Sequence, residues 1–137
     1  MTESSDSSKQ LAQLVDRCQQ AMAHAWVVRA FLRHCDEAED FPELTLISRS
    51  IFDVSRALET RVTDPMGYFK MLTKKIGKFR AAVEEFAKQV PEISSHTNFA
   101  QSVISLRGSV MILDESLKQA REVAIQAEAS KTGPATG

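Results

Sequence analysis

The chain has 137 residues, which is enough for one domain with a core that needs neither disulfide bonds nor metal. The net charge is −1, so the molecule as a whole has no electrostatic preference for nucleic acid or for an anionic membrane. The first residues are polar, and no apolar run approaches the roughly 20 residues of a membrane span. We therefore expect a cytoplasmic protein without a signal peptide and without a membrane partner.

The two cysteines, Cys18 and Cys35, agree with this expectation. Both fall in the first predicted helix, about 25 Å apart at a rise of about 1.5 Å per residue, so they cannot form a disulfide bond within one chain. We expect two buried, reduced thiols in a reducing compartment.

Helix 1 is predicted over residues 8–39, after a serine-rich arm, residues 1–7, that is predicted to be disordered. Its apolar residues are spaced alternately three and four apart, which is the seam of a heptad repeat. They are Leu11, Leu14, Cys18, Ala21, Ala25, Val28, Leu32 and Cys35.

The first break is predicted at Pro42, because the residue before a proline avoids the helical region. Helix 2 is predicted over residues 42–62, with Asp40 and Glu43 as an acidic capping box. Its seam repeats the same spacing with Leu44, Ile47, Ile51, Val54 and Leu58.

Helix 3 is predicted from Pro65 to Gln89, with Asp64 as its N-cap and Pro91 as its end. Helix 4 is predicted to follow a Ser or Thr cap within residues 92–97 and to run to about Ala129. The two seams are Phe69, Leu72, Ile76, Phe79, Val83, Phe86 and Val90, then Phe99, Val103, Leu106, Val110, Leu113, Leu117, Ala120, Ala124 and Ala127.

Short connections between four such helices predict an all-α fold, an antiparallel up-down-up-down four-helix bundle that forms one domain over residues 8–129. The 3.5-residue period predicts left-handed packing at about 20°. The first and last helices are the longest, so they are predicted to project beyond the turn at Asp64. Residues 130–137 are small and rich in helix breakers, and are predicted to be a disordered tail.

No catalytic or metal-binding pattern stands out. His24, His34 and His96 are scattered, and no Glu-x-x-His pair of the kind that binds metal inside a bundle occurs. The helical glycines are isolated, and no nucleophile, base and oxyanion donor are spaced to work together. We expect no metal and no cofactor, and we favour a protein that is not an enzyme.

One short motif points the other way. The segment Arg29-Ala30-Phe31-Leu32-Arg33-His34 resembles the Arg-x4-His motif of the HEPN family, whose members are helical bundles and often dimeric RNases. The resemblance implies Arg29 and His34 as phosphate-binding and catalytic groups. Five residues turn about 140° around a helix, so the two side chains would not share a face. The alternative is that both are surface cations near a helix C-terminus, where the dipole favours them.

Helix 3 carries a stripe of lysines at i, i+4 and i+8, namely Lys70, Lys74 and Lys78, in a stretch without acidic residues. The stripe could bind nucleic acid or an anionic protein. We favour the alternative that the stripe is the solvated outer face of a bundle helix, because no exposed aromatic residues are interleaved with it. Nucleic acid is therefore not an expected partner.

Apolar residues outside the seams carry the main functional prediction. The back of a bundle helix should be polar, yet apolar or small residues occupy the backs of helices 1 and 4. Such patches usually mark a partner, and Trp is a frequent interface anchor. We expect a homodimeric interaction module that uses both backs. The predicted interface residues are Ala23, Trp26, Val27, Ala30, Ile104, Gly108, Met111 and Ile112. A different protein partner, or cover by other parts of the chain, is the alternative.

Overall fold

The computed structural model describes residues 2–132, which form four long α-helices and one short 3-10 helix. The 3-10 helix, Asp36–Ala38, lies between the first two α-helices, and no strand occurs within residues 2–132. The α-helices are α1 (Thr2–His34), α2 (Glu43–Glu59), α3 (Pro65–Ile93) and α4 (Thr97–Thr132).

Each helix packs against two others, in the ring order α1, α2, α3, α4. The pair α1 and α4 has the most extensive contact, whereas α1 and α3 touch only slightly across the diagonal. Because short connections join consecutive helices, neighbours in the ring run antiparallel. The predicted all-α up-down-up-down bundle is confirmed.

The core consists of the predicted seams. Nearly all seam residues between Leu14 and Ala120 are buried, and Phe79, Phe86 and Phe99 are among the largest side chains with no appreciable exposure. Tyr68 is also fully buried, although it lies outside the predicted seam. Its hydroxyl donates a hydrogen bond of 2.8 Å to Gln19 Oε1, so the phenol is satisfied inside the bundle.

Small side chains bring α1 and α4 close together. Three serines of α4, seven residues apart, are buried at Ser102, Ser109 and Ser116. The Ser109 hydroxyl donates a 2.9 Å hydrogen bond to the backbone carbonyl of Ala21, an 88-residue separation in sequence. A short side chain can reach a neighbouring backbone only when the two helices are closely packed, so this bond fixes their spacing and their axial register.

Both ends of the chain are more helical than predicted. Helix α1 begins at Thr2, so residues 2–7 belong to the helix and are not a disordered arm. This segment contains no proline or glycine, so no helix-breaking residue separates it from the rest of α1. Residues 130–132 continue α4, and the rest of the predicted tail, residues 133–137, lies outside the described residues.

The first connection differs from its prediction. Helix α1 ends at His34 because Cys35 adopts an extended conformation, with φ −78° and ψ 158°. The acidic residues that follow start the 3-10 helix, where a negative charge is more favourable than at the C-terminus of α1. The Asp40–Glu43 capping box is wrong, since Pro42 is the N-cap of α2 and makes no side-chain bond. Helix α2 ends at Glu59, before Val62.

The boundaries of α3 and α4 are correct in part. The Oδ1 atom of Asp64 accepts a 3.2 Å hydrogen bond from Gly67 N–H, which confirms the predicted cap. Pro91 does not end α3, which continues to the buried Ile93. Proline removes one backbone donor, and here the loss falls in the last turn of the helix. The side chain that caps α4 is His96, whose Nδ1 atom accepts from Asn98 N–H at 3.0 Å, and not a Ser or Thr.

Truncation of a core residue should show that the seams are what stabilise the bundle. We expect Phe79→Ala to lower the free energy of unfolding by about 3–5 kcal/mol, because it leaves a cavity where Phe79 is fully buried. The neighbouring Lys78 is exposed, so Lys78→Ala should change stability by less than about 0.5 kcal/mol. Urea unfolding followed by circular dichroism measures both. Equal effects of the two substitutions would contradict the assignment of the core.

The two thiols should differ in reactivity. Both cysteines are free, but Cys18 is buried whereas Cys35 is half-buried, which corrects the expectation that both are buried. Burial raises the pKa of Cys18 to about 11, against smaller opposite effects of Ser116 and Arg17. At pH 8 a disulfide reagent should therefore label Cys35 first and Cys18 only in denaturant, since the thiolate is the reactive form. Mass spectrometry of the labelled protein, with Cys35→Ser as the control, measures the labelling of each thiol. Equal labelling of Cys18 and Cys35 in the folded protein would contradict the prediction.

Candidate functional site

The backs of α1 and α4 lie side by side on one surface of the bundle. The Ser109–Ala21 hydrogen bond places the middle of α4 beside the middle of α1. Closer to the first connection, the Phe31 and Phe99 rings are 5.3 Å apart in an edge-to-face arrangement. Residues 20–31 of α1 therefore run antiparallel to residues 99–112 of α4, and their outward stripes adjoin.

Most of the predicted interface residues are found on this surface. Val27 is 69% exposed, Ile104 61% and Met111 58%, so three large apolar side chains are exposed next to one another on two adjacent helices. Ala23 and Ala30 are exposed as well, and Gly108 and Ile112 are half-buried.

The same surface contains no formal charge. The twelve positions that share it are exposed or half-buried, and none of them is Asp, Glu, Lys or Arg. We call it the charge-free face: Gln20, Ala23, His24, Val27, Ala30 and Phe31 of α1, with Gln101, Ile104, Ser105, Gly108, Met111 and Ile112 of α4. Depletion of charge at the centre of a surface patch is a compositional mark of interfaces between proteins.

Trp26 lies outside the charge-free face, on the side of α1 that faces α2. Its ring is 6.2 Å from that of Phe52 and tilted by 33° to it. The guanidinium carbon of Arg29 lies 4.6 Å from the centre of the Trp26 ring. These contacts within the chain hold Trp26 in place, so we assign it to the edge of the surface and not to its centre.

The structure separates the two residues of the Arg-x4-His motif. Arg29 lines a cleft of about 520 Å³ between α1 and α2, whereas His34 is exposed at the end of α1 and is not part of that cleft. The 140° rotation expected from helical geometry accounts for the separation. The cleft instead brings Arg29 and Arg33, four residues apart on α1, together with Arg49 of α2, which no pattern within one helix relates to them.

Arg29 is held in an unusual environment for an arginine. Its guanidinium carbon lies 5.0 Å from the centre of the Phe52 ring as well as close to Trp26, so aromatic rings cover it. Its Nε atom is buried and has no hydrogen-bond partner within the described part of the chain. Burial, and then the charge of Arg33, lower the pKa of Arg29.

The lysine stripe is exposed, as predicted for Lys70, Lys74 and Lys78. Lys78 lines a groove of about 360 Å³ between α2 and α3, and the same groove contains the carboxylates of Asp53 and Glu85. Mixed charge of this kind weakens the positive field that a polyanion would need.

Two arginine–carboxylate pairs connect α3 with α4. Arg80 pairs with Asp114, and Arg107 pairs with Glu84 at 2.7 Å. The hydrogen bonds from Arg107 hold the pKa of Glu84 below its usual value. All four side chains are exposed, so each pair adds little to stability.

We expect no tight general binding of RNA or DNA, because the exposed lysines are few and carboxylates accompany them. A gel shift at physiological salt with a mixed-sequence RNA should show no complex at micromolar protein. The variant Lys70→Gln, Lys74→Gln, Lys78→Gln should behave like the wild type. Salt-sensitive binding that this variant loses would make the stripe a nucleic-acid site.

No group of three or more His, Cys, Asp and Glu side chains within the described residues is placed to hold a metal ion. None of the described helices combines the length and the apolar character that crossing a membrane requires. The chain matches no family model, and no curated protein or solved structure is significantly similar to it. The functional assignment therefore rests on the geometry of this chain.

Proposed function

We propose that this protein is a non-enzymatic interaction or assembly module that forms a homodimer through the charge-free face. The observation that carries the proposal is the 58–69% exposure of Val27, Ile104 and Met111 on a face whose twelve positions include no charged residue. Burial of these side chains against a second surface would remove apolar area from water, which favours association.

The absence of charge favours a second copy of the chain over an unrelated partner. In a two-fold interface the same patch occurs on both subunits, and residues near the axis meet their own copies. A charged patch would set like charges against each other, at a cost of several kcal/mol. The charge-free face carries no such penalty, so it is compatible with itself.

The dimensions of the face suit the centre of an interface. Residues 20–31 extend for about 17 Å along α1, and two helices side by side are about 20 Å wide, which gives roughly 350 Å². A standard interface buries about 800 Å² on each partner, so the face supplies its core and surrounding residues supply a rim. Gln20 and Gln101, at the ends of the two stripes, can form hydrogen bonds in such a rim.

Gly108 is compatible with close contact between two copies. A glycine inside an exposed helix costs about 1 kcal/mol relative to alanine. A Cβ atom at Gly108 would meet nothing within 4 Å, so packing inside the subunit does not require glycine there. The same holds for Gly77 of α3, but at Gly108 the neighbouring small residues Ala23 and Ala30 would also permit close approach of a partner helix.

Introduction of charge into the face should abolish the dimer. We expect the wild type to be dimeric by light scattering and Val27→Glu, Met111→Glu to be monomeric, with the association weakened at least about 100-fold by like-charge repulsion across the axis. Leu46→Glu is the matched control, because Leu46 is 65% exposed on α2, outside the face. A monomeric wild type at high concentration would refute the proposal. So would a double variant that is folded and still dimeric.

The glycines provide a test that does not introduce charge. Gly77 and Gly108 both have open space where a side chain would begin, but Gly77 lies on α3. Gly108→Leu should therefore weaken dimerisation, whereas Gly77→Leu should not, and both variants should remain folded. An equal effect of the two substitutions would mean that no partner helix approaches Gly108.

A further inference from the structure

The cleft between α1 and α2 has the size and the walls of a small-molecule site. Its volume of about 520 Å³ is within the usual range for ligand pockets. One part of its lining is apolar, with Leu32, Leu44 and Phe52. The other part is polar and cationic, and it lies on the opposite side of α1 from the charge-free face.

Three guanidinium groups line the cleft without a counter-charge. Arg29, Arg33 and Arg49 make no ion pair within the described residues, although other arginines of the chain do, such as Arg107 with Glu84. No Asp or Glu lines the cleft, and the acidic connection that follows α1 contributes only the apolar Ala38. Arg49 also borders the α2–α3 groove that contains Asp53 and Glu85, without an ion pair to either. Three cations around one cavity repel each other, and a bound anion would relieve that repulsion.

Polar groups with unused hydrogen-bonding capacity line the same cavity. Ser48 is only 6% exposed, and its hydroxyl has no hydrogen-bond partner in the described chain. The Nε atom of Arg29 is buried and equally unpartnered. Buried donors are nearly always satisfied in folded proteins, so these two groups beside one cavity are available to bind a ligand. Thr45 adds a second hydroxyl to the lining.

Arg29 is preorganised to bind such a ligand. Trp26 and Phe52 lie 4.6 and 5.0 Å from its guanidinium carbon and restrict its motion. The two ring centres are 6.2 Å apart, so both rings approach the guanidinium from one side and do not enclose it. A fixed fork of donors suits oxygen atoms held in a rigid anionic group.

We propose that this cleft binds a small phosphate monoester whose organic part is apolar or aromatic. A phosphate monoester carries up to two negative charges and three acceptor oxygens, so Arg29, Arg33 and Arg49 can all contribute to one group. A carboxylate would offer only one charge. The organic part packs against Leu32, Leu44 and Phe52. The site is distinct from the dimer face, and its test does not depend on the oligomeric state.

Trp26 makes the proposal directly measurable. It is the only tryptophan of the chain, and it stacks on Arg29 at the edge of the cleft. Titration with phenyl phosphate should produce a saturable change in its fluorescence, and calorimetry should give the same dissociation constant. Phenol lacks the charge and should produce no saturable change. Inorganic phosphate lacks the ring and should bind at least about tenfold more weakly.

Charge-removing variants locate the site. Arg33→Gln and Arg49→Gln should each weaken the binding of phenyl phosphate about tenfold or more, because each removes a charged hydrogen-bond donor. Ser48→Ala should weaken it by a smaller factor. Arg107→Gln removes the same charge from a distant pair with Glu84 and should leave binding unchanged. Circular dichroism establishes that each variant is folded before it is titrated.

The same phosphate chemistry occurs in a free metabolite and in a lipid headgroup, and two probes separate these sources. Phenyl phosphate represents the first, and vesicles that contain phosphatidic acid represent the second. Arginine-dependent binding to either supports the proposal and identifies the source. The proposal is overturned if neither probe binds at millimolar phosphate. It is equally overturned if Arg33→Gln and Arg49→Gln bind as the wild type does.

Discussion

The close packing of α1 against α4 is the constraint on which the other features depend. Small residues line this contact, and the Ser109 hydroxyl reaches the Ala21 carbonyl. That bond sets which turn of α4 lies beside which turn of α1. With the register fixed, Val27 and Ile104 come to the same level, and two stripes that are far apart in sequence become one surface. A slip of one turn would move a charged residue such as Arg107 or Glu115 toward the middle of that surface.

The heptad spacing was sufficient to predict the fold, because it determines both which residues are buried and how the helices pair. The start of α3 could also be predicted from Asp64 and Pro65, since the Asp64 side chain and the Pro65 ring both act within the first turn of the helix. Predictions failed where a local signal competed with packing. The burial of Ile93 keeps α3 helical beyond Pro91, and the extended backbone at Cys35 ends α1 earlier than the break predicted from Pro42.

The candidate sites also differ in whether single helices were sufficient to predict them. The charge-free face could be anticipated because each of its stripes is visible in one helix as apolar residues on a back that should be polar. The environment of Trp26 could not, because its neighbour Phe52 belongs to another helix and no pattern relates the two. The arginine cleft was missed for the same reason, as Arg49 and Ser48 come from α2. The periodicity of the sequence predicts which face of a single helix is apolar. Which residues of two helices come together depends also on how one helix is rotated relative to the other.

The unequal lengths of the helices have a consequence for how the molecule opens. At the end where Asp64 connects α2 to α3, α1 and α4 continue past the last four-helix layer, which Leu11 and Ala124 mark beside Met66. Beyond that layer most side chains of residues 6–10 and 125–130 are exposed. Local opening free energy follows the amount of buried contact. Amide hydrogens should therefore exchange fastest at this end of the bundle and slowest near Leu106. Exchange should become slower with increasing residue number along α1 and with decreasing residue number along α4.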